Sequence, residues 1–277
     1  MLHPKISNIS ATKHILKTFN LRASKKLGQN FLIDSEVVEK IVNAAEISEG
    51  EEILEIGPGI GTLTQGLLEA GANVTAVELD KKLPAVLSQT LAGYENFNLI
   101  QGDILKINIS EFMPKNFKVV ANLPYYITTQ ILLNLIEKNL PITKIVTMVQ
   151  KEVAERMISA PNSKIYGAMS VAVQFRADVK IFFDVPPESF LPRPEVTSSV
   201  VVCDIHEPKF QVDENFFKKV VRSAFAQRRK TLINSLVGNG FNRDSVINAL
   251  NSAEISPERR AETLSIEDFA KLSNFLR

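Results

Sequence analysis

Three glycines at alternate positions, Gly57, Gly59 and Gly61, follow directly on the apolar run Ile53-Leu54-Glu55-Ile56. A loop of this kind can take positive φ and lets a ligand approach the main chain closely, because no Cβ stands in the way. A turn needed only for packing would use the same residues. Two features favour a nucleoside over a pyrophosphate: the pattern is G-x-G-x-G rather than G-x-G-x-x-G, and Pro58 removes one backbone N–H. S-adenosylmethionine is the commonest ligand of that type. Glu78, 17 residues beyond Gly61, ends a second apolar run, where an acid can accept hydrogen bonds from ribose hydroxyls. Asp103 follows a third such run, either at the same ligand edge or as a cap on the turn at Ile104-Leu105. After a fourth run, Asn122-Leu123-Pro124-Tyr125-Tyr126 offers an amide, a stiffened turn with carbonyls and aromatic rings. A structural turn would want Asn and Pro but has no use for two tyrosines.

The elements that must position these residues alternate. Period-2 and apolar runs predict strands over 51–56, 73–78, 97–100, 117–121, 143–149, 179–183 and 197–205. Helical spacing predicts helices over 36–45, 62–70, 129–137, 151–158 and 169–175, with another opening at Pro84. Strand and helix in alternation make an α/β fold with a parallel sheet, whose ligands lie at the carboxyl edge. From about residue 213 the pattern is helix alone, over 214–225, 228–236, 243–250 and 266–276. The expected organisation is a flexible or loosely helical basic arm over 1–24, an α/β domain over 25–206 and a helical domain over 207–277. Gln29 and Asn30, just before the first long helix, are amides that either shape a polar turn or face a ligand.

With 277 residues, 45% of them hydrophobic and 23% charged, the chain can bury one sizeable α/β core and a smaller second one, and disorder is not indicated. Cys203 is the single cysteine, so no internal disulfide forms, and its apolar surroundings suit a buried strand. No run approaches the roughly 18 apolar residues of a membrane span and no signal core opens the chain, so the expected location is the cytoplasm. The net charge of +1 conceals two basic groups. Lys5, Lys13, Lys17, Arg22, Lys25 and Lys26 occur before any acid, and Lys218, Lys219, Arg222, Arg228, Arg229 and Lys230 cluster near the C-terminal helices. Such runs are either solvated faces or contacts for a polyanion, and a nucleoside site between them favours a polyanionic substrate.

Leu27-Gly28-Gln29-Asn30-Phe31-Leu32, Glu55-Ile56-Gly57-Pro58-Gly59-Ile60-Gly61, Glu78, Gly102-Asp103, Asn122-Leu123-Pro124-Tyr125, Phe190-Leu191-Pro192-Arg193-Pro194 and Ala224-Phe225-Ala226-Gln227-Arg228-Arg229-Lys230-Thr231-Leu232 occur in that order. This set resembles the ribosomal RNA adenine dimethyltransferases, in particular their small-subunit branch, over essentially residues 22 to 275. The resemblance implies a seven-stranded, Rossmann-like class I methyltransferase fold with an appended helical domain. It implies transfer of methyl groups from S-adenosylmethionine to N6 of two adjacent adenosines near the 3′ end of 16S rRNA, on the immature small subunit, by a monomer with no metal and no membrane. By the same resemblance Asn30, Leu32, Gly57, Gly59, Gly61, Glu78, Asp103 and Asn122 hold the cofactor. Asn122, Leu123 and Pro124 face the target amine, and Tyr125 and Phe190 sandwich the adenine, although Phe190 would otherwise read as core. Lys25, Lys26, Arg222, Arg228, Arg229 and Lys230 are the expected RNA contacts.

Three other functions share parts of this pattern. The antibiotic-resistance relative that dimethylates one large-subunit adenosine has the same Asn-Leu-Pro-Tyr site, but the Phe-Leu-Pro-Arg-Pro and Gln-Arg-Arg-Lys segments favour the small-subunit enzyme. A non-catalytic RNA-binding factor would not need an intact Asn122-Leu123-Pro124-Tyr125. DNA adenine methyltransferases usually carry Asp-Pro-Pro-Tyr or a DNA recognition domain.

Overall fold

The computed structural model describes residues 5–113 and 115–277, so the first four residues of the expected arm lie outside it. In chain order the elements are α1 (Ile9–Thr18), β1 (Phe31–Leu32), α2 (Ser35–Ala45), β2 (Glu52–Ile56), α3 (Thr62–Glu69), β3 (Asn73–Glu78), α4 (Pro84–Thr90), β4 (Phe97–Gln101), β5 (Phe117–Asn122), α5 (Thr128–Glu137), β6 (Ile142–Gln150), α6 (Lys151–Ile158), α7 (Ala168–Gln174), β7 (Ala177–Val185), β8 (Phe190–Leu191), β9 (Ser198–Ile205), α8 (Glu214–Phe225), α9 (Leu232–Gly238), α10 (Arg243–Ser252) and α11 (Ile266–Leu276).

Seven strands form one sheet in the order β4-β3-β2-β5-β6-β9-β7. Neighbours from β4 to β6 run parallel, and β9 returns antiparallel to β6. The fold is thus the seven-stranded α/β arrangement implied by the resemblance. Chain order runs outward from β2 through β3 to β4 on one side, then restarts at β5 on the other. Connections therefore leave β2 and β5 in opposite directions, which opens a crevice at their carboxyl ends. The central strands are apolar without alternation because both faces are covered: Ile53, Leu54, Val119, Val120, Ile145 and Val146 are all fully buried. At the opposite end of the sheet Lys118 donates from Nζ to the carbonyls of Ala45 and Glu46 and to the Glu51 carboxylate at 2.9 Å, closing the C-terminus of α2.

The structure corrects three expectations. Residues 5–24 are no loose arm. Asn8 caps α1 by accepting from Ala11 N, and Thr12, Ile15, Leu16 and Phe19 recur at helical spacing on the face turned inward. Ile6 is buried, and its N–H donates to the Gln65 side chain at 2.9 Å. The second correction concerns α9, which begins at Leu232 rather than Arg228, so Arg228–Lys230 occupy the turn after α8. Third, the chain divides into Met1–Ala154 with Val179–Ile205, and Glu155–Asp178 with His206–Arg277. Segment 155–178, which the sequence leaves in the α/β domain, packs with the C-terminal helices. Tyr166, Val171 and Phe175 belong to the same buried cluster as Phe217, Leu236 and Phe269, and the Phe175 and Phe217 rings stack with centroids 4.4 Å apart.

Because Ile6 is buried against the α/β core, Ile6→Ala should lower the unfolding free energy by about 2–4 kcal/mol in urea titrations. A loose arm would leave stability unchanged.

Candidate functional site

One crevice is lined from the carboxyl ends of β2, β3, β4 and β5 together with β1 and the turn before it. The three glycines at its floor do different jobs. Gly57, at φ 72°, faces open space: a Cβ built there meets no atom within 4 Å. At Gly59, φ 60°, a Cβ would touch the Phe31 ring at 3.4 Å. Gly61 is the N-cap of α3 with a φ of 94°, and a Cβ there would lie 3.2 Å from Leu91.

Glu78 ends β3 and is 6% exposed. Its Oε1 accepts from Asp80 N at 2.7 Å and its Oε2 from Gly59 N at 3.3 Å. Burial pushes the carboxyl above the ordinary carboxylate range, those backbone N–H groups oppose the rise, and the Asp80 charge adds to it. Each oxygen keeps a lone pair free for a ligand hydroxyl. Asp103 satisfies both of its sequence readings, since it lines the crevice while Oδ1 accepts from Leu105 N at 3.1 Å.

Asn122 ends β5, and its Nδ2 donates to the Asn30 carbonyl at 3.3 Å, joining residues 92 positions apart. That bond leaves Oδ1 as the acceptor facing the crevice. Asn30 in turn donates from Nδ2 to the Gly28 carbonyl at 3.2 Å. Beyond Asn122, Leu123 N is held by the Met148 carbonyl at 3.2 Å, and the Pro124 carbonyl accepts from Ile127 N and from Thr128 Oγ1. The Leu123 carbonyl accepts no hydrogen bond among the described residues. Leu32 lines the crevice from β1, which pairs antiparallel with β8.

The aromatic groups separate. Tyr125 is half-buried in the crevice wall, its hydroxyl 2.6 Å from Ser198 Oγ; burial raises its pKa, with the Ser198 hydrogen bond opposing. Tyr126 also lines the crevice and is 54% exposed. Phe190 is 1% exposed, pairs across from Leu32 and packs into the core, so it does not line the crevice.

Lys25 and Lys26 are exposed in a single 3-10 turn before Gly28. In the helical unit, Arg222, Arg229 and Lys230 are exposed. Arg228 is engaged within its own unit, donating to the Lys164 carbonyl and lying 4.0 Å from Glu262.

Sequence reasoning left Gln29 open between a polar turn and a ligand contact, and passed over Glu55. Gln29 accepts from Ser24 N and donates to Asp80 at 2.9 Å, bracing the turn beside Glu78. Glu55, 1% exposed, also lines the crevice, and its Oε2 has no hydrogen-bond partner among the described residues. The available signal was a charged residue inside a strand otherwise buried on both faces.

The family model described as ribosomal RNA adenine dimethylase matches residues 20–277. "Ribosomal RNA small subunit methyltransferase A" of Clostridioides difficile is 45% identical over 98% of this chain and 97% of its own length. The protein of the same name from Clostridium botulinum (strain Okra / Type B1) is 47% identical over 95% of this chain and 97% of its own. Among solved structures, a dimethyladenosine transferase from Plasmodium falciparum superposes with a TM-score of 0.75 at 28% identity, covering 87% of this chain and 95% of that one. The 23S rRNA methyltransferase ErmE superposes at 0.67 with 25% identity, covering 89% and 99%.

The crevice fits S-adenosylmethionine on its own chemistry. A glycine floor with open space above Gly57 admits close backbone approach, a buried carboxylate stands at a strand end, and Asp103 stands at the next. If Glu78 holds the ribose hydroxyls, Glu78→Ala should weaken S-adenosylmethionine binding by roughly 1.5–3 kcal/mol by calorimetry, since bonds to a charged acceptor are lost. Unchanged affinity would remove Glu78 from the site.

Proposed function

Because this chain belongs to the ribosomal RNA adenine dimethylase family, we propose that it dimethylates two adjacent adenosines near the 3′ end of 16S rRNA on the immature small subunit. The enzyme is an S-adenosylmethionine-dependent adenine dimethyltransferase acting on small-subunit rRNA. The observation that carries the finer reading is the 43–47% identity to small-subunit relatives over nearly whole chains, against 25% to the large-subunit enzyme. No helix among the described residues is long and apolar enough to cross a membrane. The reading places the enzyme on ribosomal particles in the cytoplasm, as a monomer.

An exocyclic adenine amine is delocalised into its ring and is a weak nucleophile, so alignment must supply much of the rate. S-adenosylmethionine supplies an electrophilic methyl group. Glu78 and Asp103 anchor the nucleoside end, and Asn30 and Leu32 bound the other end of the crevice. The Asn122 Oδ1 and the Leu123 carbonyl accept the two N–H bonds of the amine, turn its lone pair out of conjugation and stabilise the positive charge that grows on nitrogen. This is preorganised electrostatic stabilisation with the sign reversed from an oxyanion hole. The hydrogen bond to Asn30 keeps the Asn122 amide from presenting its NH2 group to that charge. The methylated nitrogen, an ammonium, would lose its proton to water, so the Asn122 and Leu123 oxygens need only accept hydrogen bonds and take up no proton. No histidine among the described residues lines the crevice, and none is needed. The base must leave its stack to reach this edge, and the rings of Tyr125 and Tyr126 offer it a replacement surface.

Mapping the products on purified 30S and 50S particles tests the assignment. N6,N6-dimethyladenosine at two neighbouring small-subunit positions is expected, and a product confined to one large-subunit adenosine would transfer the protein to the other branch. Asn122→Ala should cut single-turnover methyl transfer about 10²–10³-fold while RNA binding stays close to unmutated, by analogy with a removed oxyanion-hole group. Replacing Arg229 and Lys230 together with alanine should flatten the log–log salt dependence of RNA binding by about 1.5 units, as two phosphate contacts vanish. An unchanged slope would make both residues solvated surface.

A further inference from the structure

β9 opens at the carboxyl edge of the sheet, because it runs antiparallel to β6 and sets Ser198 beside Gln150, the last residue of that strand. Two serines therefore begin an otherwise apolar run. Ser198 and Ser199 are both fully buried, as are Val200 and Val201 after them, and a buried hydroxyl is costly unless it is hydrogen-bonded. Each has a partner, on opposite faces of the strand. Ser199 donates from Oγ to Asp184 Oδ1 at 2.6 Å, and Asp184 Oδ2 accepts from Lys151 Nζ, also at 2.6 Å, which holds that carboxyl below the usual carboxylate range. Lys151 N in turn donates to the Thr197 carbonyl at 3.0 Å. The start of β9 is thus a braced piece of scaffold.

From the other face, Ser198 Oγ meets the Tyr125 hydroxyl at 2.6 Å. β6 lies between β5 and β9, so this contact crosses the end of a whole strand and joins residues 73 positions apart. The backbone around Tyr125 is held as well, by Leu123 N on the Met148 carbonyl and by Thr128 Oγ1 on the Pro124 carbonyl. The ring is therefore anchored at both ends. Burial pushes the phenol above its ordinary range, so it stays protonated at neutral pH and serves as a tether rather than as a base. Tyr126 beside it is 54% exposed, and no hydrogen bond among the described residues holds its hydroxyl.

We propose that Ser198 is a positioning residue for methyl transfer: it locks the Tyr125 ring, so that the target adenine stacked there presents its amine to Asn122 Oδ1 and the Leu123 carbonyl. Ser198 is not among the residues lining the crevice and acts only through Tyr125. A ring immobilised in advance avoids the ordering cost that a free one would meet when the base arrives. The inference rests on the rRNA adenine reading above and adds to it the residue that aims one of its surfaces.

Ser198→Ala, Tyr125→Phe and the two combined test this in the full-length protein, by kcat/KM on purified small-subunit particles and by calorimetric affinity for S-adenosylmethionine. Each single variant should lose roughly 10–100-fold in kcat/KM, as a small misplacement of the reacting group does, while cofactor affinity stays within about twofold. Both substitutions remove the same bond. The double variant should accordingly be no slower than the slower single one, and Ser198→Thr, which keeps the hydroxyl, should recover most of the rate. An unmutated rate for Ser198→Ala, losses that multiply in the double variant, or cofactor affinity falling in step with the rate would overturn the inference and leave Ser198 a packing residue. If Ser198→Ala melts below the assay temperature, Tyr125→Phe decides alone, because it breaks the bond from the crevice side. An unmutated rate then contradicts the tether, and a loss with cofactor affinity intact supports it. No methylated adenosine from the unmutated protein on particles of either subunit would instead remove the reading on which the inference stands.

Discussion

The reversal of chain direction between β2 and β5 is the constraint on which the rest depends. A parallel sheet covered by helices has no exposed face for a ligand. It has only edges, and connections leaving adjacent strands in opposite directions part the loops at one of them. The carboxyl ends of four successive strands meet there, with Gly57 just beyond β2, Glu78 at the end of β3, Asp103 just beyond β4 and Asn122 at the end of β5. Each strand brings the residues at its C-terminal end to that edge, so one topological fact accounts for residues scattered over 66 positions of sequence.

Within that edge, two kinds of polar group are kept apart in function. Carboxylates stand on the β2 to β4 side, where burial pushes Glu55 and Glu78 upward and suits them to hydroxyls or cations brought by a ligand. Neutral acceptors stand at the end of β5. An amide oxygen and a carbonyl can stabilise a developing cation without being protonated themselves, and they do not titrate near neutrality. The Asn122–Asn30 hydrogen bond joins the two halves of this arrangement. It ties the turn before β1 to the end of β5, so the turn that bounds the crevice also sets the orientation of the acceptor.

Much of this was legible in sequence because the signals are local. A glycine cluster after an apolar run, an acid at a strand end and Asn-Leu-Pro-Tyr after another run each announce themselves within a few residues. The features that were not legible depend on distant partners. Gly61 looks like Gly57 until Leu91 is placed beside it, and the burial of Phe190 shows only once β8 pairs with β1. Arg228 looks free until Glu262 and the Lys164 carbonyl are brought near it. The basic arm is an amphipathic helix whose apolar face is sparse enough to be hidden by its lysines, and segment 155–178 changes partner because its aromatic residues match the helical core. Glu55 was masked by its own motif, since an acid beside a glycine loop draws less notice than the glycines.

The central claim is that the carboxyl edge of β2 to β5 holds the cofactor, with its parts distributed in the order of the strand ends. A crystal structure of the protein with S-adenosylhomocysteine tests this most directly. The account requires the ligand in the crevice, its ribose hydroxyls within about 3 Å of the Glu78 carboxylate, its adenine toward Asp103 and its amino-acid end toward Asn30. Density for the ligand elsewhere, or in the crevice with the ribose away from Glu78 and the amino-acid end toward Asp103, would contradict it.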